Sequence, residues 1–196
     1  MLKTRIAVLV SGGGTNLQAL IDSDVIKSGE IVLVVSNNEN AYALQRAEKA
    51  GIKTAIVTKK GVEQSEFEAN LISLLEDEKI DLIVLAGFMC ILSENFTSKY
   101  CERIINVHPS LIPSFCGKGF YGLRVHEAAL EYGVKVTGAT VHYVNEIPDG
   151  GQIILQKAVE IKDGDTPEIL QRRVMEQAEW ELLPMATEMV SKKLMK

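Results

Sequence analysis

The stretch RIAVLVSGGGTNLQALI, residues 5–21, decides the fold by the order of its parts. Arg5 to Val10 is a continuous apolar run of strand length, the pattern of a strand covered on both faces. From Thr15 to Lys27 apolar residues return at helical spacing, which predicts an amphipathic helix. Between the two, Ser11-Gly12-Gly13-Gly14 leaves the backbone bare where the strand ends. The alternation then repeats. Ile31–Ser36, Lys53–Val57, Asp81–Ala86 and Arg103–Val107 read as strands, and Ala41–Ala50, Phe67–Glu78 and Ser93–Tyr100 as helices. This order predicts an α/β fold, a Rossmann-like open and mostly parallel sheet with helices on both faces.

The second half changes character. A helix is expected over Val125–Tyr132, then two antiparallel strands, Val136–Val144 and Gln152–Ile161, joined by the turn-rich Asn145–Gly151. Thr166 as N-cap and Pro167 at the first helical position start a long C-terminal helix, in which Pro184 is expected to introduce a kink. No repeat, low-complexity tract or linker interrupts the chain. One domain over residues 1–196 is therefore expected, in two halves, 1–110 and 111–196.

Composition narrows the function classes. Of 196 residues 46% are hydrophobic and 24% charged, ordinary for a soluble globular protein. A net charge of -5 lacks the basic footprint of nucleic-acid binding. The apolar run at Ile6–Val10 is too short for a secretory signal, and no stretch approaches the roughly 20 apolar residues of a membrane span. Cys90, Cys101 and Cys116 form no C-x-x-C pair, which argues for free thiols and a cytoplasmic location. His108, His126 and His142 lack metal-ligand spacing, so no metal is expected. His142 reads as a hydrogen-bonded support and His126 as a surface helix residue.

In an open parallel sheet ligands bind beyond the carboxyl ends of the strands, where strand order reverses. That directs attention to the residues after Val10, Ala86 and Val107. The first group, Ser11 to Asn16, combines close-approach glycines with a helix N-terminus, a composition suited to phosphate. It is neither G-x-G-x-x-G nor a P-loop, and a plain strand–helix turn has the same residues. The second, Gly87-Phe88-Met89-Cys90-Ile91-Leu92, can wall a pocket for a flat ligand or simply join the core. In the third, Asn106-Val107-His108-Pro109-Ser110-Leu111-Ile112-Pro113, strand alternation puts Asn106 and His108 on one face. An amide donor beside an imidazole suits acyl transfer, the one for an oxyanion and the other for a proton. The prolines fix the exit loop, and one of them is a candidate cis residue. The fourth group, Asp149-Gly150-Gly151, is a turn that can bring Asp149 beside His108 and raise its pKa.

Taken together, SGGGTNLQAL, LAGFMCIL, NVHPSLIPSF and VHYVNEIPDGGQIILQ resemble the phosphoribosylglycinamide formyltransferase family, folate-dependent enzymes of purine biosynthesis, over nearly the whole chain. The resemblance implies formyl transfer from 10-formyltetrahydrofolate, as co-substrate, to the amine of glycinamide ribonucleotide. It implies Asn106, His108 and Asp149 as the catalytic trio. Gly13, Gly14, Thr15, Asn16 and Glu179 would hold the ribonucleotide, Glu179 at its ribose. Met89, Cys90, Ile91, Leu92, Asn106 and Val144 would line the folate pocket. On this reading residues 1–110 are the phosphate-binding half and 111–196 the folate-side half. Protonated His108 would stabilise the developing charge, kept charged by Asp149. The implied partners are small-molecule substrates; nucleic acid and membrane are not expected, and a homodimer stays open.

Three departures from the family pattern stand out. Cys90 occupies a position where Arg is common, and Gln64 lies near another such position. The Phe115–Gly122 segment is longer than the usual loop, and its Lys118 offers a replacement charge. Three alternatives stay open. A formyl-folate hydrolase would use the same trio but adds an N-terminal regulatory domain, not expected when the glycine turn begins at residue 11. Methionyl-tRNA formylation would need a basic surface and a further domain. A non-catalytic sensor of a phosphorylated metabolite would need the glycine turn alone.

Overall fold

The computed structural model describes residues 2–195; Met1 and Lys196, the outermost positions of the expected domain, lie outside the described residues. Along the chain the elements are β1 (Thr4–Val10), α1 (Thr15–Asp22), β2 (Gly29–Ser36), α2 (Tyr42–Lys49), β3 (Lys53–Ile56), α3 (Gln64–Asp77) and β4 (Leu82–Leu85). They continue with α4 (Glu94–Lys99), β5 (Ile104–His108), α5 (Leu123–Tyr132), β6 (Val136–Tyr143), β7 (Ile153–Glu160) and α6 (Pro167–Val174). A π-helical turn (Met175–Glu179) then leads into α7 (Trp180–Leu194). The strands form one sheet in the order β3-β2-β1-β4-β5-β6-β7. Pairing is parallel from β3 to β5 and antiparallel from β5 to β7, as the sequence pattern predicts.

Alternation along the buried strands splits the core in two. Ile6, Val8 and Val10 of β1 face one layer, with Leu17 of α1, Leu170 of α6 and Leu183 of α7. Ala7 and Leu9 face the other, with Phe67, Leu71 and Leu75 of α3 and Phe96 of α4. Burying each of the larger of these side chains, Val, Leu, Ile or Phe, contributes about 1.5–3 kcal/mol, so both faces of the sheet are strongly specified. Among the described residues no helix is long and apolar enough to cross a membrane.

After β1 the chain builds β2 and β3 on one side, then returns to lay β4 and β5 on the other. The order therefore reverses between β1 and β4, and the carboxyl ends of β1, β4 and β5 open onto one crevice.

Two expectations about helices change. Helix α1 stops at Asp22 rather than reaching Lys27. Ser23 Oγ accepts the Val25 N–H, and the Glu188 carboxylate of α7 accepts the N–H groups of Lys27 and Ser28, each at 2.8 Å. These contacts satisfy the backbone outside a helix, and Glu188 is invisible to local pattern. The expected single long C-terminal helix is instead interrupted by the π-helical turn, Met175–Glu179, between α6 and α7; Pro184 lies within α7.

Candidate active site

The crevice is a cavity of about 770 Å³. Asn106 and His108 reach it from β5, two residues apart on one face of the strand. Register with β6 sets Asn106 opposite His142. Asn106 Nδ2 lies 3.2 Å from His142 Nε2, and His142 Nδ1 lies 2.7 Å from the Tyr143 carbonyl oxygen. A carbonyl only accepts, so Nδ1 carries the His142 proton and Nε2 accepts from the Asn106 amide. His142 is thus a support that aims Asn106.

Asp149 does reach His108. Its Oδ2 is 3.5 Å from His108 Nδ1, its Oδ1 is 3.6 Å from His142 Nε2, and the Gly117 N–H donates to Oδ2 at 2.8 Å. The other His108 nitrogen, Nε2, donates to the Phe115 carbonyl at 2.8 Å. Both groups that flank the ring come from left-handed backbone, Phe115 at φ 48 and Asp149 at φ 57. A bulky residue in that region is an outlier, and the surroundings must hold it. Edge contacts of the Phe115 ring with Phe120 and Tyr132 do so on one side. On the other, a Cβ at Gly151 would lie 1.7 Å from the Tyr143 carbonyl oxygen, so only glycine lets the Asp149 turn close onto β6. The Ile112–Pro113 peptide bond in the exit loop is cis.

Electrostatics correct one expectation. Burial pushes His108 down and outweighs the upward pull of the Asp149 charge and the Phe115 carbonyl, so the net shift is downward. His108 is therefore neutral in the free protein near pH 7, with its lone pair on Nδ1 opposite Asp149. For Asp149, burial acts upward, but the adjoining His142 and His108 rings and the Gly117 N–H together hold the carboxyl below its ordinary value.

The glycine turn sits beside this cavity. Gly14 has φ 72, and a Cβ there would lie 2.6 Å from Ala43 Cβ, so α2 packs directly on its bare backbone. At Gly12 and Gly13 the corresponding space is open. Arg46 of α2 donates from Nε to the Gly13 carbonyl at 2.8 Å and fixes the turn. Asn16 lines the cavity, whereas Gly13, Gly14 and Thr15 do not. Asn16 Nδ2 donates to Glu179 Oε2 at 2.8 Å. Burial raises the Glu179 carboxyl to about 7, with the Asn16 amide acting against it.

Met89, Cys90, Ile91, Leu92 and Val144 all line the cavity, and Met89 and Ile91 are exposed apolar side chains there. Cys90 Sγ accepts from Asn37 Nδ2, and Gln64 Nε2 donates to the Ile91 carbonyl at 3.1 Å. The two neutral departures thus brace this wall. Lys118 lines the cavity from the Phe115–Gly122 loop.

His126 corrects a second expectation. It is 1% exposed and lines the cavity, rather than lying on a surface face of α5. Gln171 and Met175 are further lining residues that sequence reasoning missed. The i, i+4, i+8 spacing of Gln171, Met175 and Glu179 was the available signal.

The family model described as formyl transferase matches residues 4–187. The human trifunctional purine biosynthetic protein adenosine-3 is 47% identical over 192 residues, 96% of this chain and 18% of its own length. The chain therefore spans under a fifth of that relative. Phosphoribosylglycinamide formyltransferase of Haemophilus influenzae is 41% identical over 186 residues, covering 92% of this chain and 84% of the relative. The crystal structure of glycinamide ribonucleotide transformylase 1 from Symbiobacterium toebii superposes with a TM-score of 0.90 at 38% identity, over 97% of this chain and 89% of that one.

Proposed function

The chain belongs to the formyl transferase family, and we propose that it moves the formyl group of 10-formyltetrahydrofolate to the amine of glycinamide ribonucleotide in purine biosynthesis. The observation that carries this reading is the convergence of Asn106, His108 and Asp149 on one cavity that also contains Asn16 and Glu179.

The residues suit both substrates. Exposed apolar Met89 and Ile91, with Cys90, Leu92 and Val144, offer a wall for the flat ring system of a folate. Open space over Gly12 and Gly13 at the start of α1 suits a phosphate, and the carboxyl of Glu179 suits ribose hydroxyls. The folate supplies the formyl carbon. Asn106 Nδ2, held by His142, presents its second N–H to the formyl oxygen as negative charge grows there. His108 is neutral at the start and takes the amine proton at Nδ1, where Asp149 faces the new charge. The carbon–nitrogen bond to the acceptor forms, the bond to the folate nitrogen breaks, and the proton passes to that leaving nitrogen.

Spectrophotometric formyl transfer from a 10-formyl folate, with and without glycinamide ribonucleotide, tests the reading. Turnover that requires the ribonucleotide supports it. Folate release without the ribonucleotide, or no turnover with both substrates bound, would overturn it.

A further inference from the structure

His126 is a buried polar group with nothing to bond to. Its side chain is 1% exposed, and neither Nδ1 nor Nε2 finds a hydrogen-bond partner among the described residues. A buried polar atom without a partner costs about 1–3 kcal/mol, so an imidazole with two such atoms is a poor choice for packing alone. The ring does not face the apolar core only, because His126 lines the same cavity as His108 and Glu179.

Its position narrows what it meets. Helix α5 packs against α6, and Gln171, Met175 and Glu179 form a stripe along α6 and the π-helical turn that faces the cavity. His126 belongs to this helical wall. The apolar segment Met89–Leu92 leaves a different strand, β4, beyond its carboxyl end. Burial and the nearby His108 lower His126 to about 4, so the ring is neutral at physiological pH and offers one donor and one acceptor. That pair of functions matches an uncharged group that both gives and takes hydrogen bonds.

We propose that His126 is a positioning residue for the ribonucleotide, bonding an uncharged hydroxyl or amide of that substrate, directly or through one held water, from the α5 side of the cavity. The inference rests on the formyl-transfer reading above for the identity of the ligand.

The test is a set of three variants read by steady-state kinetics and thermal melting. His126→Phe keeps a ring and removes both nitrogens; His126→Asn and His126→Gln return an amide near Nδ1 or Nε2. His126→Phe is expected to raise the KM for glycinamide ribonucleotide by about threefold to tenfold, the loss of one neutral hydrogen bond, with kcat little changed. The KM for the formyl donor should not move. One of the two amide variants should restore the ribonucleotide KM. An unchanged ribonucleotide KM with a higher Tm would mark a core histidine and overturn the proposal, as would a KM rise confined to the folate. If His126→Phe fails to fold, nitrogen-15 NMR of the native protein decides: glycinamide ribonucleotide alone should shift the His126 ring nitrogens, and no shift overturns the proposal. A native protein without transfer activity would refute the functional reading, whereas transfer with unaffected variants would refute this inference alone.

Discussion

Asn16, in the first turn of α1, and Glu179, in the π-helical turn, share a 2.8 Å hydrogen bond across 163 positions of sequence. This bond joins the glycine turn after β1 to the C-terminal helical segment, so the two ends of the chain close one side of the cavity. Asn16 Oδ1 is buried with no hydrogen-bond partner among the described residues, which leaves an acceptor at the same point.

That pair sets a pH dependence. Glu179 is raised from 4.5 to about 7 by burial, so its stabilising neutral form is fully present below pH 4.5 and is lost as pH rises through about 7. Chemical denaturation across this window should show a decline on the order of 3 kcal/mol from this group. Glu179→Gln keeps an acceptor for Asn16 and cannot ionise, so its profile should be flatter over the same window. An equal decline in the variant would assign the effect to another group.

Asn106→Ala should lower kcat by roughly 10²–10³, the usual cost of one oxyanion donor, while ligand affinity changes little. His142→Phe, which removes the group that aims the Asn106 amide at 3.2 Å, should lower kcat in the same direction but by less. Stopped-flow or steady-state kinetics with both substrates saturating separates the two.

His108 should titrate below the ordinary histidine value of 6.5, because burial lowers it more than Asp149 raises it. Transfer needs the neutral ring, so kcat/KM should rise with pH through that lowered pKa and then level. Replacing Asp149 with Asn removes the upward pull, and the His108 ring proton followed by NMR should titrate lower still. A higher titration point in Asp149→Asn would contradict the geometry.

Two glycines of one turn should behave oppositely. Gly14→Ala meets Ala43 at 2.6 Å and a left-handed φ of 72, which should destabilise the fold by roughly 2–4 kcal/mol. Gly13→Ala enters open space and should leave the Tm near that of the native protein. If the turn receives a phosphate, the same variant raises the KM for the ribonucleotide. Melting and kinetics on the two variants check both halves.

Much of this site is legible in local sequence, and particular residues show why. The apolar run of β1 and the glycines after it declare a strand, a turn and a helix within a few positions, where periodicity acts. Asn106 and His108 share a face because strand alternation has a period of two. The Asp149 turn could be suspected from Asp-Gly-Gly, but its place beside His108 depends on Gly151 meeting Tyr143. By itself, then, the sequence determined the α/β order, the mostly parallel sheet and the residues able to do the chemistry. Only the tertiary structure decided that Glu188 binds the backbone at Lys27 and Ser28 outside α1, that His126 is buried in the cavity wall, and that burial lowers His108 despite the Asp149 charge. Those outcomes depend on desolvation and on partners from distant segments, and water exclusion exists only once both layers have closed on the sheet.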